Sequence, residues 1–245
     1  MVSIISNTQI GNKPKISVVM PAFNAAKTIA NAIMSILNQT EQDFELVIID
    51  DGSTDNTEKV IAQFKDERIR YYAFPHRGLV HARNTGNSLA KADVIAIQDA
   101  DDLSLPRRLE ICWEYLNTGF DVVIHGAMIN MWDTQYQCIS RKYLPPGDQF
   151  DVAGLLNGQT LTGWPVFKKS VWEAKPFRYE TQYAYDWMMH LDWILNLFRY
   201  AATDEVLYEY VRQQGSASQI FERDGRRAES MKKIKEILKN EYAQS

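Results

Sequence analysis

Two carboxylate clusters in this chain each follow an apolar run: Ile48-Ile49-Asp50-Asp51-Gly52-Ser53 and Ile97-Gln98-Asp99-Ala100-Asp101-Asp102. Each run reads as a buried strand, Phe44 to Ile49 and Val94 to Gln98, so each cluster falls at a strand's carboxyl end. In open α/β sheets that edge is where ligands bind. Carboxylates repel one another and are costly to desolvate, so five of them aimed at one edge need a counter-charge. A divalent cation carrying a diphosphate would supply it. The pattern points to a metal-dependent enzyme acting on a nucleotide.

The elements that must position these acids alternate through the first half. Ile16 to Met20 is an apolar strand expected to stop at Pro21, with Asn24 as the N-cap of a helix carrying Ile29, Ile33, Ile36 and Leu37 at helical spacing. Ser53 or Thr54 is expected to cap the next helix, with Val60, Ile61 and Phe64 facing inward. Arg68 to Phe74 and Asp93 to Gln98 read as strands on either side of a helix opened by Gly78. Ser104-Leu105-Pro106 reads as a further helix start with proline in its first turn. This βαβαβαβ order implies a mostly parallel, Rossmann-like sheet flanked by helices.

The second half is less regular. Val122 to Met131 reads as a strand, Leu161 to Lys168 as an edge or a loop lining the site, because Gly163 and Pro165 interrupt it. Asp186 to Tyr200 reads as a buried helix and Val206 to Arg212 as a last strand. Met231, Ile234, Leu238 and Tyr242 form one stripe on a solvated, mixed-charge C-terminal helix. The expected division is a tail over 1–14, one domain over 15–220 and a helix over 221–245. Within the domain, 15–103 is the nucleotide-binding half and 104–220 the acceptor-binding half.

A net charge of −4 over 245 residues argues against non-specific nucleic-acid binding. Cys112 and Cys138 offer at most one bridge, which suits a reducing cytosol. No signal peptide and no apolar run of about 20 residues is visible, so a cytoplasmic protein is expected, with peripheral attachment to the inner face of a membrane compatible.

The motifs, taken in order, resemble those of the family 2 glycosyltransferases, inverting enzymes of the GT-A fold that use nucleotide sugars. The resemblance rests on Val18-Val19-Met20-Pro21-Ala22-Phe23-Asn24, on Ile49-Asp50-Asp51-Gly52-Ser53-Thr54-Asp55, on Ala82-Arg83-Asn84-Thr85-Gly86 and on Asp99-Ala100-Asp101-Asp102. It covers about Lys15 to Ser218. By this resemblance Pro21, Phe23 and Asn24 belong to the nucleotide pocket, with proline ending the strand. Asp50 or Asp51, the latter favoured, accepts a hydrogen bond from a uracil-type base. Arg83 reaches the diphosphate or braces the acids, and Gly78 and Gly86 permit close backbone approach. His76 and Arg77 stand where the family usually has Asn before the glycine.

Asp99-Ala100-Asp101-Asp102 resembles the family's Asp-x-Asp motif. The resemblance implies Asp99 near the ribose and Asp101 at a Mn²⁺ or Mg²⁺ ion, with Asp102 a ligand or a support. Asp186, in Tyr185-Asp186-Trp187, resembles the catalytic base, although Tyr185 stands where an acid is usual; Asp192 is a weaker candidate. Arg212 and Ser216 match diphosphate contacts, while Gln214 replaces a common His. His76, His81, His125 and His190 show no ligand spacing and read as structural, and Trp132 and Trp164 as core. The implied partners are a nucleotide-sugar donor, UDP-linked by preference, and a glycan, lipid-linked or other hydroxyl acceptor. Two other readings are a non-catalytic nucleotide-sugar-binding module and a sugar-1-phosphate nucleotidyltransferase. The latter would need a Gly-rich loop where Pro21-Ala22-Phe23-Asn24 stands.

Overall fold

The computed structural model describes residues 4–5, 13–132, 138–145, 155, 161–181, 184–213 and 225–242. Ten strands run in chain order as β1 (Ile4–Ile5), β2 (Ile16–Ala22), β3 (Phe44–Asp50), β4 (Ile69–Ala73), β5 (Val94–Ile97), β6 (Leu103–Ser104), β7 (Val122–Trp132), β8 (Cys138–Leu144), β9 (Val166–Lys168) and β10 (Tyr200–Gln213). The helices are α1 (Ile29–Leu37), α2 (Thr57–Ile61), α3 (Leu79–Leu89), α4 (Arg108–Asn117), α5 (Lys169–Ala174), α6 (Tyr185–Leu195) and α7 (Arg226–Tyr242). All strands join one sheet in the order β1-β4-β3-β2-β5-β9-β7-β10-β6, with β8 against β7. The pairings β2–β3, β3–β4, β2–β5 and β7–β10 are parallel, as the alternation in sequence predicts, while β8 runs antiparallel along β7.

β2 and β3 are buried at every position, the signature of strands covered by helices on both faces. One core layer packs α1 and α4 on the sheet through Ile29, Ile33, Ile36, Leu109 and Cys112. A second packs α6 and α7 on the opposite side through Met188, Trp193, Ile234 and Leu238. Ile234 and Leu238, with the half-buried Met231, therefore turn the apolar stripe of α7 inward, and its lysines stay outside. Gly86 of α3 lies so close to β2 that a Cβ there would stand 2.3 Å from Val19 Cγ1. Gly78 serves differently: its φ of 96° makes the left-handed turn that opens α3.

Several local expectations are corrected. Pro21 does not end β2, which continues to Ala22 in register with Asp50. The β5 ladder has already stopped at Val19, so a residue without an N–H is tolerated at position 21. Asn24 caps no helix: with φ 50° it lies in a loop, and its Oδ1 accepts from the Thr54 N–H at 2.8 Å. α1 begins five residues later, at Ile29. Ser53 and Thr54 precede α2 without capping it, and Asp55 instead accepts from the Thr57 N–H at 2.9 Å. Leu103–Ser104 pairs with β10 as a short strand, which delays α4 to Arg108 and leaves Pro106 in the turn before it.

β9 is no edge. It inserts antiparallel between β5 and β7, and only the residues before it form a loop. The helix expected to reach Tyr200 ends at Leu195, and β10 starts at Tyr200. Cys112 and Cys138 are free thiols, one buried and one exposed.

Candidate active site

The two acid clusters emerge from β3 and β5, the strands that flank β2 on either side and run parallel to it, so both lie at the same carboxyl edge of the sheet. The first is consumed by the protein. Asp50 accepts from the Ser53 N–H and the Tyr71 hydroxyl, both at 2.8 Å, and burial beside this carboxylate pushes the Tyr71 phenol well above its ordinary range. Asp51 accepts from the backbone N–H of Arg77 and of Gly78, each at 2.8 Å, and so ties the loop before α3 to the end of β3. Both carboxylates are buried. Phe23, 47% exposed, stacks on the His76 ring at 4.2 Å between centroids.

The second cluster is held differently. Asp99 accepts from Arg83 through Oδ1 and from the Trp164 indole N–H at 2.9 Å through Oδ2. Arg83, fully buried, also donates to the Tyr185 hydroxyl and lies over that ring at 4.5 Å. Asp102 is sealed inside, with Oδ1 accepting from the Val211 N–H at 2.8 Å and Oδ2 near Tyr208 without a well-formed hydrogen bond. Burial and the charges of Asp101 and Asp99 raise the Asp102 carboxyl well above the usual range. Ala100 is packed in the core between them.

Asp101 stands apart. The residue is exposed, and among the described residues it meets no donor beyond its own backbone N–H. Desolvation and the neighbouring Asp99 charge push it up to about 6, against a smaller pull from Arg83. A carboxylate in this state is short of positive charge, which is what a divalent cation would relieve. Among the described residues no group of three His, Cys, Asp or Glu side chains could hold a metal alone. Mg²⁺ sites that rely on substrate phosphates need only one or two protein carboxylates. Asp101 fits such an ion. The sealed Asp102 fits better as the anchor of the acid loop to β10.

The acid loop rests on a residue that sequence reading missed. Arg108 is buried and donates to the Ile97 and Trp164 carbonyls at 2.8 and 2.9 Å, to Ser104 Oγ at 2.9 Å and to His125 Nε2 at 3.0 Å. Burial and the Arg108 charge push His125 down to about 3, so its ring is neutral: Nε2 accepts from Arg108 and Nδ1 donates to the Gly126 carbonyl at 3.1 Å. Gln98 closes the loop by donating to the Asp99 and Asp102 carbonyls at 3.0 and 2.9 Å. The one available signal for Arg108 was a charge placed among core residues of an amphipathic helix. Trp164, read as core, is indeed nearly buried against Tyr208 at 4.6 Å, yet its indole N–H serves the site.

Asp186 sits in the first turn of α6, with Oδ1 accepting from the Trp187 N–H at 3.0 Å. Gly163 lies against it: a Cβ there would be 3.5 Å from Asp186 Oδ2. The Gly163-Trp164 pair therefore links Asp186 to Asp99, while Tyr185 links it to Arg83. His190, buried and pushed down to about 4 by desolvation, stands 3.1 Å from the Thr162 carbonyl and braces the same segment. Asp192 is spent on an ion pair with Arg178 at 2.7 Å. Arg212 follows Val211 at the end of β10, its guanidinium 5.0 Å from the Tyr210 ring. Gln214 and Ser216 lie outside the described residues, as does the side chain of Trp132.

The mostly parallel sheet flanked by helices, with acids at its strand ends, defines a GT-A-like fold. Residues 17–207 match the profile of Glycosyl transferase family 2, and the chain belongs to that family. An uncharacterized glycosyltransferase of Haemophilus influenzae is 37% identical over 156 residues, covering 59% of this chain and 62% of that protein. The hyaluronan synthase of Pasteurella multocida is 38% identical over 110 residues, 44% of this chain and 11% of its own length. An Escherichia coli UDP-Glc:alpha-D-GlcNAc-diphosphoundecaprenol beta-1,3-glucosyltransferase is 38% identical over 97 residues, 39% of this chain and 38% of that one. The chain thus spans less than two thirds of these relatives. Among solved structures, S. aureus TarS 1-349 in complex with UDP-GlcNAc superposes with a TM-score of 0.65 at 19% identity, over 84% of this chain and 60% of that one. Among the described residues no helix is long and apolar enough to cross a membrane.

Proposed function

We propose that the chain transfers a sugar from a nucleoside diphosphate sugar, UDP-linked by preference, to a hydroxyl of a glycan or lipid-linked acceptor with inversion. The observation that carries this is an exposed Asp101 that meets no donor beyond its own backbone N–H among the described residues, two positions from an Asp99 whose partner Trp164 follows the Gly163 packed on Asp186, in a member of a glycosyltransferase family. A bound Mn²⁺ or Mg²⁺ would neutralise the leaving diphosphate. The chain's own residues supply the rest. Asp101 holds the cation, and Asp99, fixed by Arg83 and Trp164, faces the ribose. Phe23, Pro21 and Asn24, with the loop tied by Asp50 and Asp51, bound the base, and Arg212 lies on the diphosphate side. Asp186 takes the acceptor hydroxyl's proton as that oxygen attacks the anomeric carbon from the face opposite the leaving group. Arg83 stays paired with Asp99 and keeps the acid loop at a set distance from Asp186.

The test is a panel of UDP-, GDP- and dTDP-sugars with Mn²⁺, read by thermal shift and by donor hydrolysis. One donor should stabilise the protein and be hydrolysed slowly, and chelation should abolish both. In Asp186→Asn, binding should persist while turnover drops about 10²–10⁴-fold. Binding with no hydrolysis or transfer to any acceptor would favour a binding module. Silence toward every nucleotide would sink the proposal.

A further inference from the structure

The loop between β4 and α3 contains a residue whose role neither the motif nor the acid clusters assign. Asp51 does not present a free carboxylate to a ligand, because both its oxygens already accept backbone N–H groups from Arg77 and Gly78 and its side chain is 6% exposed. The exposed polar group next to it is the His76 ring, 55% exposed. His76 Nδ1 stands 2.8 Å from Asp51 Oδ2 and 3.0 Å from the Asp51 carbonyl. Both neighbours are acceptors, so Nδ1 carries the hydrogen, and in the neutral ring Nε2 is a bare lone pair. Phe23 stacks on the ring with an interplanar angle of 27° and fixes its plane. The backbone behind it is fixed as well, since Gly52 packs so tightly that a Cβ there would lie 2.7 Å from the His76 N. A rigid acceptor is thus held beside the carboxyl ends of β2 and β3.

We propose that His76 is the specificity-determining residue for the base of the donor nucleotide, with Nε2 accepting the ring N–H of a uracil-type base. The inference rests on the nucleotide-donor reading above and adds a direction of selectivity to it. Uracil and thymine carry N3–H, and guanine carries N1–H. Cytosine and adenine present a lone pair at the matching ring nitrogen, so they would set acceptor against acceptor and leave both unpaired.

The test measures binding of UDP and CDP, which differ only at that base edge, to the full chain in the presence of Mn²⁺ by calorimetry. The wild type should prefer UDP by about tenfold or more. His76→Phe keeps a ring on Phe23 and removes the nitrogen, and should bring the two affinities within about twofold by weakening UDP. His76→Gln, whose amide oxygen can accept the same N–H, should retain a UDP preference. Independently of any variant, UDP and not CDP should shift the ring ¹⁵N resonance of one half-exposed histidine in the wild type. An undiminished UDP preference in His76→Phe, or no histidine shift with UDP, would overturn the assignment while leaving the transferase reading standing. Failure of the wild type to bind either nucleotide would overturn both.

Discussion

The two acid clusters leave their strands in the same way and meet opposite surroundings. At the end of β3 every carboxylate oxygen of Asp50 and Asp51 has a protein donor: Ser53, Tyr71, Arg77 and Gly78. At the end of β5 the donors stop short. Arg83, Trp164 and the Val211 N–H satisfy Asp99 and half of Asp102, while Asp101 meets only its own backbone N–H among the described residues, its carboxyl pushed up to about 6. The first cluster is architecture that shapes a pocket wall. The second keeps one carboxylate, Asp101, without a side-chain donor among the described residues, and that is where the proposed cation would bind. The same residue type in the same position along a strand can therefore serve either role, and the neighbours decide which.

The contrast can be broken most severely at Asp101. Asp101→Ala should cost about 10³-fold in transfer or donor hydrolysis, yet leave the melting temperature unchanged or slightly higher, because it removes an unneutralised charge. Loss of folding with loss of activity would put Asp101 on the architectural side. Asp51→Ala should do the reverse, costing about 2–4 kcal/mol of stability in denaturant unfolding by stranding the Arg77 and Gly78 N–H groups.

A titration sharpens the same point. Asp101 binds a proton more tightly in the fold than its ordinary value of 3.8 allows, so proton and cation compete for it. Cation-dependent nucleotide binding should fall about tenfold between pH 7 and pH 5, and the step should vanish in Asp101→Asn. The buried histidines act in the opposite sense on stability. His125 and His190 are held neutral, at about 3 and about 4, so only the unfolded chain takes up their protons as pH falls below 6.5, and stability declines from there toward pH 4. The smallest effect belongs to Trp164→Phe. It keeps the stack on Tyr208 but takes the indole N–H from Asp99, and should lower turnover about tenfold at a cost of about 1–2 kcal/mol in unfolding.

The parallel half of the sheet was legible because its signals are local: an apolar run, a breaker, then a helical period. The acids were legible for the same reason. Their partners were not, because Tyr71, Gly78, Trp164, Tyr208 and Val211 reach them from distant segments, and no spacing rule connects those positions. The place of β9 escaped because three residues beside Gly163 and Pro165 carry too short a pattern to show that they lie between β5 and β7. Arg108 escaped because its acceptors are carbonyls, a hydroxyl and an imidazole nitrogen, none of which marks an ion pair in sequence. The resemblance to the family's acid-aspartate pair placed Asp186 correctly at the start of a helix. It left unsaid that Tyr185 would meet Arg83.

Gly86 has a consequence for how such a sequence can drift. Arg83 sits one turn away on the same face of α3, so the depth at which the helix beds on β2 sets how far the guanidinium extends toward Asp99. An alanine at 86 would collide with Val19 at 2.3 Å and lift the helix off the sheet. The permitted histories at this spot are therefore paired ones, in which position 86 gains a methyl only where position 19 has already lost one.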